Sequence, residues 1–325
     1  MKGHKLEVYF KYIIFVITSC LITVIVYPKY YLGDLYYYND YYQGVRSYSF
    51  KEAFIYYQNS LGTQEPIYFL ITYFSSFFIS KLSYSIIVNA LLSFLVIRIV
   101  VKKNINISML FFILAFYSCF YVLVLLIPAD RLKLSLVIFL LGLNCSSVYL
   151  RYFWFSISIL THVQTLFLVI ATFNYSYLGK LFRSFKISRV AVFLIIIGTL
   201  ILGFIIFFLM DHIIIKYQAY TRMDHSFQGG PIAIIKISVF IILSLFLTKK
   251  HLEVMLAFLP MLAFSAVLGE ERVLIFCFFI FCFFILKLKS KIKYFIYSPF
   301  LLYYGYQGYK FILSITIYGN GFYKL

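Results

Sequence analysis

Apolar runs separated by short polar connections make up most of this 325-residue chain. At a rise of about 1.5 Å per residue, nine of them are long enough, or nearly so, to cross a hydrocarbon core of roughly 30 Å as α-helices. They are residues 12–27, 82–101, 105–127, 132–150, 190–210, 232–247, 252–268, 273–286 and 294–317. The pattern predicts an all-α, polytopic integral membrane protein with about nine to eleven transmembrane helices.

Two further apolar runs, 66–80 and 152–173, can be interpreted in two ways. If both cross the membrane, Lys102 and Arg151 lie on the outer side. If 66–80 is a juxtamembrane helix and 152–173 dips into the membrane and returns, these two residues face the cytoplasm and Arg131 faces outward. The bias of Lys and Arg toward the cytoplasm favours the second arrangement.

The longest polar interruption is residues 28–65. Because the N-terminus is basic, the positive-inside rule places it in the cytoplasm and this interruption on the outer side. Ser49 followed by Glu52 has the spacing of a capping box and predicts a short helix over 49–59. A second outer loop is predicted at 211–231, and the chain 1–325 is predicted to be a single membrane domain.

Composition favours lipid as the solvent. The chain is 63% hydrophobic with a mean hydropathy of +0.94, which is more apolar surface than a soluble domain of this length can bury. The net charge of +18 does not indicate a nucleic-acid partner. Lys and Arg cluster at the ends of apolar runs, which is typical of topogenic charge and of contact with membrane lipids.

Processing and cysteine usage add little to this interpretation. The first apolar run ends in Tyr-Pro-Lys rather than in a small-residue cleavage site, so it is predicted to be a retained helix. The five cysteines lie in or beside apolar runs, without metal-ligand or disulfide spacing. No HExxH, P-loop, GxSxG or acidic pair with metal spacing occurs, so chemistry without a metal or cofactor is expected.

Carboxylates on the predicted outer face are candidates for a general base, because a carboxylate can accept the proton of an attacking hydroxyl. Asp34 is the preferred candidate, and Asp40 and Glu65 are the alternatives. The competing interpretation of each is a solvated side chain or a turn cap. His162 is a further candidate for catalysis, because polar groups inside apolar runs are costly and often functional; its alternative is a hydrogen-bonded packing residue.

Arginines at the predicted outer ends of helices are the best candidates for holding a diphosphate. Arg131 and Arg272 each offer a planar fork of donors whose charge persists at any pH. The competing interpretation is an arginine that extends to the membrane interface. Arg222 is a weaker candidate of the same kind, and Asp130 and Glu271 are potential charge partners of their neighbouring arginines.

Tyrosines crowd the outer interruption. Their rings can stack against sugars, but tyrosine is also typical of the aromatic belt at the headgroup layer. The residues concerned are Tyr36, Tyr37, Tyr38, Tyr41 and Tyr42.

Several short motifs also follow one another in a distinctive order along most of the chain. They are Gly33-Asp34 with Tyr38, Glu65-Pro66-Ile67-Tyr68, Arg131-Leu132-Lys133-Leu134, His162, Lys216-Tyr217 with Tyr220, Gly229-Gly230, and Glu271-Arg272. This order resembles that of the Wzy-type O-antigen polymerases and the EpsG-like polysaccharide polymerases.

The resemblance implies a GT-C-like helical scaffold in the bacterial inner membrane, with its active site facing the periplasm. It implies a polymerase that transfers a growing glycan to the non-reducing-end sugar of a new undecaprenyl-diphosphate-linked repeat unit, with a chain-length regulator as the expected protein partner. The implied catalytic residues are Asp34, Glu65 and His162, and the implied substrate-binding residues are Arg131, Arg272, Asp40, Tyr38, Tyr217, Arg222 and Glu271.

Two other functions stay open as alternatives. A flippase or other transporter for lipid-linked oligosaccharides would be expected to show more spans, internal repeats and charges in the bilayer core. A related glycan ligase would be expected to carry its largest loop late in the chain, whereas here the largest loop comes first.

Overall fold

The computed structural model describes residues 2–102, 108–175, 230–268, 270–286 and 292–322. For residues 2–8, 231–233, 263–264, 266–268, 270–272 and 292–293 it describes the backbone alone. Every regular element in these ranges is a helix, which confirms the all-α prediction. The predicted span 190–210 lies outside the described residues, as does nearly all of the predicted loop 211–231, including Tyr217 and Arg222.

The α-helices follow the apolar runs closely. They are α1 Lys2–Val26, α2 Asp34–Gly44, α3 Phe50–Leu61, α4 Pro66–Phe78, α5 Lys81–Lys102, α6 Met109–Tyr117, α7 Phe120–Leu126, α8 Asp130–Asn144, α9 Val148–Thr161, α10 Thr165–Phe173, α11 Gly230–Leu247, α12 His251–Leu268, α13 Glu270–Leu286 and α14 Ile292–Tyr318. Short 3-10 helices occupy Tyr27–Lys29 and Val45–Ser47.

The chain divides into two compact units, residues 1–166 with 289–325 and residues 167–288. In the second unit α11, α12 and α13 pack against one another. Asn174 Nδ2 donates a hydrogen bond to the carbonyl of Leu256 at 2.9 Å. The helices predicted over 232–247, 252–268 and 273–286 are confirmed as helices.

In the first unit α1 packs along α5, α5 along α8, and α8 along α9. Polar side chains join α1 to α5: Ser19 Oγ donates to the Asn89 carbonyl at 3.2 Å, and Asn89 Nδ2 donates to Thr23 Oγ1 at 2.8 Å. Small hydroxyl and amide side chains of this kind are common between helices in lipid, where unpaired polar groups are costly.

Two helices of the described chain are long and apolar enough to cross a membrane, over Tyr9–Lys29 and Lys81–Lys102. A third candidate is the pair α6 and α7, which are bent by 71° at their junction. The apolar run 105–127 thus forms two helices rather than one. Ser118 Oγ donates to the Leu114 carbonyl at 2.6 Å, which ends α6 within that run.

The basic residues Lys102 and Arg151 lie at the same end of α8. Lys102 Nζ donates to the Asn144 carbonyl at 3.2 Å, and Arg151 Nη2 donates to the Cys145 carbonyl at 3.0 Å. Both bonds cap carbonyls where α8 ends. Asp130 begins α8 at its opposite end. Both arrangements place Lys102 and Arg151 on one side of the membrane and Asp130 on the other, so this grouping does not distinguish between them.

The interpretation of run 152–173 as a loop that dips and returns needs correction. The 14 residues of α9 pack along α8, and the ring of Phe155 stacks on that of Phe139 with centroids 4.9 Å apart. α9 therefore leads from the Arg151 end of α8 to its Asp130 end, and His162 follows directly. His162 is not the tip of a loop that turns back toward Arg151.

The helix predicted over 49–59 is confirmed as α3. Ser49 and Glu52 form the predicted capping box, with both the backbone N–H and the hydroxyl of Ser49 donating to Glu52. These two hydrogen bonds hold the pKa of the Glu52 carboxyl below its ordinary value. Gly62 ends the helix with a positive φ of 58°.

The C-terminal turn holds the segment that leads into α2. The Gly319 carbonyl accepts hydrogen bonds from the backbone N–H groups of Tyr31 at 3.1 Å and Leu32 at 2.9 Å. Tyr30 Oη donates to Asn320 Oδ1 at 3.2 Å. Gly319 has a φ of 67°, and a Cβ there would lie 2.4 Å from the ring of Tyr31. The start of α2 is therefore positioned by the far end of the chain.

Replacing Gly308 by alanine is expected to destabilise the protein by about 1–3 kcal/mol, because a tightly packed site cannot accept an added methyl group. A Cβ at Gly308 would lie 2.2 Å from the carbonyl oxygen of Ser118. Gly305, one turn earlier, is the matched control, since its Cβ would meet Ser118 Oγ at an ordinary 3.7 Å. Thermal unfolding in detergent should show a lower melting temperature for Gly308→Ala and little change for Gly305→Ala. Equal melting temperatures would contradict the close approach of α14 to the α6–α7 junction.

Candidate functional site

Glu65 gathers side chains from distant parts of the chain. It precedes α4 as its N-cap residue, and its side chain is only 2% exposed. Oε2 accepts hydrogen bonds from Thr63 Oγ1 at 2.9 Å and from Arg131 Nη1 at 2.8 Å. Oε1 lies 2.6 Å from His162 Nδ1. We refer to Glu65, Arg131, His162 and Tyr38 together as the Glu65 centre.

Arg131, the second residue of α8, joins Glu65 to α2. Its Nε donates to Tyr38 Oη at 2.9 Å, so the Nε and Nη1 donors of the guanidinium are both engaged within the centre. Burial raises the pKa of Tyr38, and the adjacent Arg131 only partly opposes this shift. The phenol therefore stays neutral, and its oxygen accepts from Arg131. The Arg131 side chain remains 14% exposed, more than that of Glu65.

His162 lies in the short break between α9 and α10. Its backbone is extended, and its N–H and carbonyl bond to the Ser158 carbonyl and the Thr165 N–H, each at 3.0 Å. An ionised carboxylate can only accept, so the contact with Glu65 assigns a proton to Nδ1. The other ring nitrogen, Nε2, lies 3.3 Å from Gln164 Oε1. Glu65 thus fixes the orientation of the imidazole.

A second buried cluster consists of Asp130, Tyr68, Lys81 and Lys133, and we refer to it as the Asp130 centre. It adjoins the Glu65 centre, because Asp130 and Arg131 are consecutive residues. Asp130 Oδ2 accepts from Tyr68 Oη at 2.7 Å and from Lys81 Nζ, and Oδ1 lies 3.2 Å from Lys133 Nζ. Burial raises the pKa of the Asp130 carboxyl, but the positive charges of Lys81 and Lys133 together lower this pKa by a larger amount. The pKa of the carboxyl therefore lies below its ordinary value. Asp130 is therefore ionised at neutral pH.

Tyrosine rings surround the ammonium group of Lys81. Lys81 Nζ lies 4.6 Å from the ring centroid of Tyr84, 4.9 Å from that of Tyr42 and 5.9 Å from that of Tyr38. Rings at these distances stabilise a cation through their negative faces. Tyr38 contacts Lys81 through its ring and Arg131 through its hydroxyl, so it connects the two centres.

Cations outnumber carboxylates among the described side chains of the two centres. Three cations, Lys81, Arg131 and Lys133, face two carboxylates, Glu65 and Asp130, and all five side chains are largely or fully buried. An uncompensated charge is costly where water is excluded. The arrangement is therefore electrostatically suited to an anionic group, with Arg131 as the most exposed of the three cations.

The structure brings together four of the residues singled out from the sequence: Glu65, His162, Arg131 and Tyr38. The hydrogen bonds described for the Glu65 centre do not include Asp34 or Asp40, whose carboxylates are exposed on α2. Of the other candidates, Glu271 and Arg272 lie in the first turn of α13 with side chains outside the described part, and Tyr217 and Arg222 lie outside the described residues.

Lys81, Lys133 and Tyr68 were not predicted as site residues, and Asp130 was expected only as a potential partner of Arg131. The structure corrects this expectation, because Asp130 pairs with Lys81 and Lys133 while Arg131 pairs with Glu65. The i, i+3 spacing of Asp130 and Lys133 on one helix was a signal for the second of these pairs. The sequence contains no comparable local signal for Lys81, which comes from another helix.

Among the side chains that the structure describes, no group of three or more His, Cys, Asp and Glu residues is arranged to hold a metal ion. Cys20, Cys119, Cys145 and Cys277 are free thiols.

Comparisons of the chain with protein-family models, with curated proteins and with solved structures found no match. The functional conclusion therefore depends on the residues and their geometry.

Proposed function

We propose that this protein is a polymerase of undecaprenyl-diphosphate-linked oligosaccharide repeat units. It would transfer the growing glycan to the non-reducing-end sugar of a new lipid-linked unit. The observation that carries the proposal is the buried contact of Glu65 with both Arg131 and His162. All three residues belong to the motif order that resembles Wzy-type polymerases, and they are well separated in the sequence.

In this reaction the hydroxyl oxygen of the acceptor sugar bonds to the anomeric carbon of the donor. The bond from that carbon to the diphosphate oxygen breaks, and its electron pair leaves with the diphosphate. The acceptor proton passes to a base. His162 is the proposed base through Nε2, which requires the Gln164 amide to present its NH2 group rather than Oε1 to this nitrogen. Glu65 holds the Nδ1 proton and stabilises the imidazolium that forms. This assignment replaces Asp34, which is exposed on α2.

Arg131 is the proposed partner of the leaving diphosphate. Negative charge on the diphosphate grows as the glycosidic bond breaks, so a fixed cation stabilises the transition state more than the ground state. Glu65 and Tyr38 hold Arg131 through Nη1 and Nε. Those contacts orient the guanidinium before substrate binds, which limits the reorganisation needed during the reaction.

The proposal includes a membrane topology of about nine to eleven spans, with the N-terminus in the cytoplasm of a bacterial cell and the Glu65 centre at the periplasmic face of the inner membrane. The residues that flank α4 both contact the start of α8, through the Glu65–Arg131 and Lys81–Asp130 ion pairs, which supports the interpretation of 66–80 as a helix that does not cross the membrane. α9 then counts as a crossing segment, because it leads from the Arg151 end to the His162 end.

A strain that lacks this protein is expected to make lipid A capped by a single repeat unit, with no long-chain polymer. The measurement is the banding pattern of its lipopolysaccharide on a gel, and re-expression of the intact chain should restore the ladder. Normal long-chain polysaccharide in the deletion strain would rule out the polymerase.

One observation favours the transporter alternative. Lys81, Asp130 and Lys133 are buried charges within helices, as in proteins that move ions or polar substrates across membranes. The same banding experiment separates the two functions. A strain that lacks a flippase would show no repeat unit at all on lipid A, because units would not reach the outer face.

A further inference from the structure

Helix α2 has two chemically distinct faces. Tyr38, Tyr41 and Tyr42 are buried, whereas Tyr36 and Tyr37 are 54% and 59% exposed. The exposed rings lie edge to face with centroids 5.6 Å apart. Two neighbouring tyrosines are therefore presented together on the outside of this helix.

The exposed tyrosines are not needed to hold α2 in place. Tyr41 Oη shares a hydrogen bond with Thr72 Oγ1 at 2.9 Å, and its ring lies 5.2 Å from that of Tyr57. Tyr38 is held by Arg131. The rings of Tyr36 and Tyr37, by contrast, remain more than half exposed.

The charge of this face distinguishes it from the rest of the protein. The chain carries a net charge of +18, yet α2 contains Asp34 and Asp40 and no basic residue. Asp34, Asp40 and Gln43 are exposed along with Tyr36 and Tyr37. The Asp40 carboxylate, one turn from Tyr36, repels anionic phospholipid headgroups, which normally meet basic residues. An acidic tyrosine face is therefore poorly suited to contact with an anionic membrane surface.

Neutral sugars match this chemistry. The flat apolar side of a sugar ring can pack on a tyrosine ring, which supplies rigid contact area at a low cost in conformational entropy. Carboxylate and amide oxygens accept hydrogen bonds from sugar hydroxyls, and bonds to ionised acceptors are the stronger ones. The exposed face of α2 offers both kinds of contact within one helix.

We propose that Tyr36, Tyr37, Asp40 and Gln43 form a binding surface for the neutral sugar residues of a glycan. The next residue after Tyr37 is Tyr38, which contacts Arg131 of the Glu65 centre. α2 therefore borders the Glu65 centre with its buried side and presents Tyr36 and Tyr37 on its exposed side, so a chain of several sugars that extends from the centre would pass this helix. The inference rests on the proposed function for the identity of that glycan, which would be the repeat-unit oligosaccharide.

The test is saturation-transfer NMR on the full chain in phosphatidylcholine nanodiscs. The probe is the lipid-free repeat-unit oligosaccharide that mild acid releases from the lipid-linked repeat units of cells that express the protein, by cleaving the bond between the sugar and the diphosphate. Tyr36→Ala and Tyr37→Ala are each expected to weaken binding about tenfold, the equivalent of one lost aromatic contact. Tyr36→Phe and Tyr37→Phe should bind as the wild type does.

Tyr149 provides the matched control. It is a tyrosine on α9 that is 88% exposed, and Tyr149→Ala should leave binding unchanged. Undetectable binding to the wild type, or unchanged binding after replacement of both Tyr36 and Tyr37 by alanine, would overturn the inference. A loss limited to association with phosphatidylglycerol-containing membranes would overturn it too, because the tyrosines would then be membrane-belt residues.

This result is separable from the test of the polymerase. Oligosaccharide binding requires no transfer, so the α2 surface stands if the probe binds there even when the deletion strain still makes polymer. The reverse outcome is a deletion strain without polymer together with alanine variants that bind the probe as the wild type does. That outcome would contradict the α2 binding surface and support the polymerase.

Discussion

Arg131→Lys is expected to lower polymer formation by about 10²–10³-fold, the usual cost of removing a fixed donor that stabilises transition-state charge. Lysine keeps the positive charge, but it cannot donate to Glu65 and Tyr38 with the planar geometry of Nη1 and Nε. The charge is retained while its placement against the leaving diphosphate is lost. Lipopolysaccharide banding and transfer by the purified protein in nanodiscs both measure the effect.

Lysine is a sharper replacement than alanine at this position. Arg131→Ala would leave the buried Glu65 carboxylate without its strongest partner, at a cost of about 3–5 kcal/mol, so lost polymer would be confounded with lost stability. The matched control is Arg46→Lys, since Arg46 is exposed outside the Glu65 centre. Near-normal polymer from Arg131→Lys at normal protein levels would remove Arg131 from the proposed mechanism.

Glu65→Gln and His162→Gln are each expected to reduce transfer by about 10²–10⁴-fold, the range for loss of general base catalysis. If Glu65 acts by orienting His162, the double variant should lose no more than the more damaging single variant, because residues that work as one unit are strongly non-additive. The measurement is single-turnover transfer from a lipid-linked repeat unit.

Two variants of exposed carboxylates complete this comparison. Asp34→Asn and Asp40→Asn keep side-chain size, and both residues are exposed on α2. At saturating substrate they should retain transfer within a few-fold if the Glu65–His162 pair supplies the base, because the contact proposed for Asp40 affects glycan binding and not proton transfer. Loss of transfer in Asp34→Asn, together with retained transfer in His162→Gln, would instead identify Asp34 as the base. Melting temperatures of all four variants check that each one folds.

Local patterns were sufficient to predict most helices. The apolar run 82–101 corresponds to α5, Lys81–Lys102, and the capping box at Ser49 and Glu52 correctly predicted α3. Run length, caps and charged ends are all encoded within a few turns of the chain. They can be read without knowing what each helix packs against.

Local patterns did not predict where a helix breaks or in which direction it runs when contacts with other helices determine this. The run 105–127 is uniformly apolar, and nothing in it marks the 71° bend between α6 and α7. α9 was expected to turn back, yet packing against α8 brings it to the opposite end, where His162 meets Glu65.

The pairing of charges follows from the tertiary structure alone. The sequence identified Glu65, Arg131 and His162 as separate candidates and could not show that they touch. From the sequence, Asp130 was expected to pair with its neighbour Arg131, whereas in the structure it pairs with Lys81 and Lys133. Apolar run length is a property of contiguous residues, so the sequence alone predicted an all-helical protein with helices apolar enough to cross a membrane. Which charges become mutual partners depends on where helix ends meet, because a buried charge must find its counter-charge in space and not along the sequence.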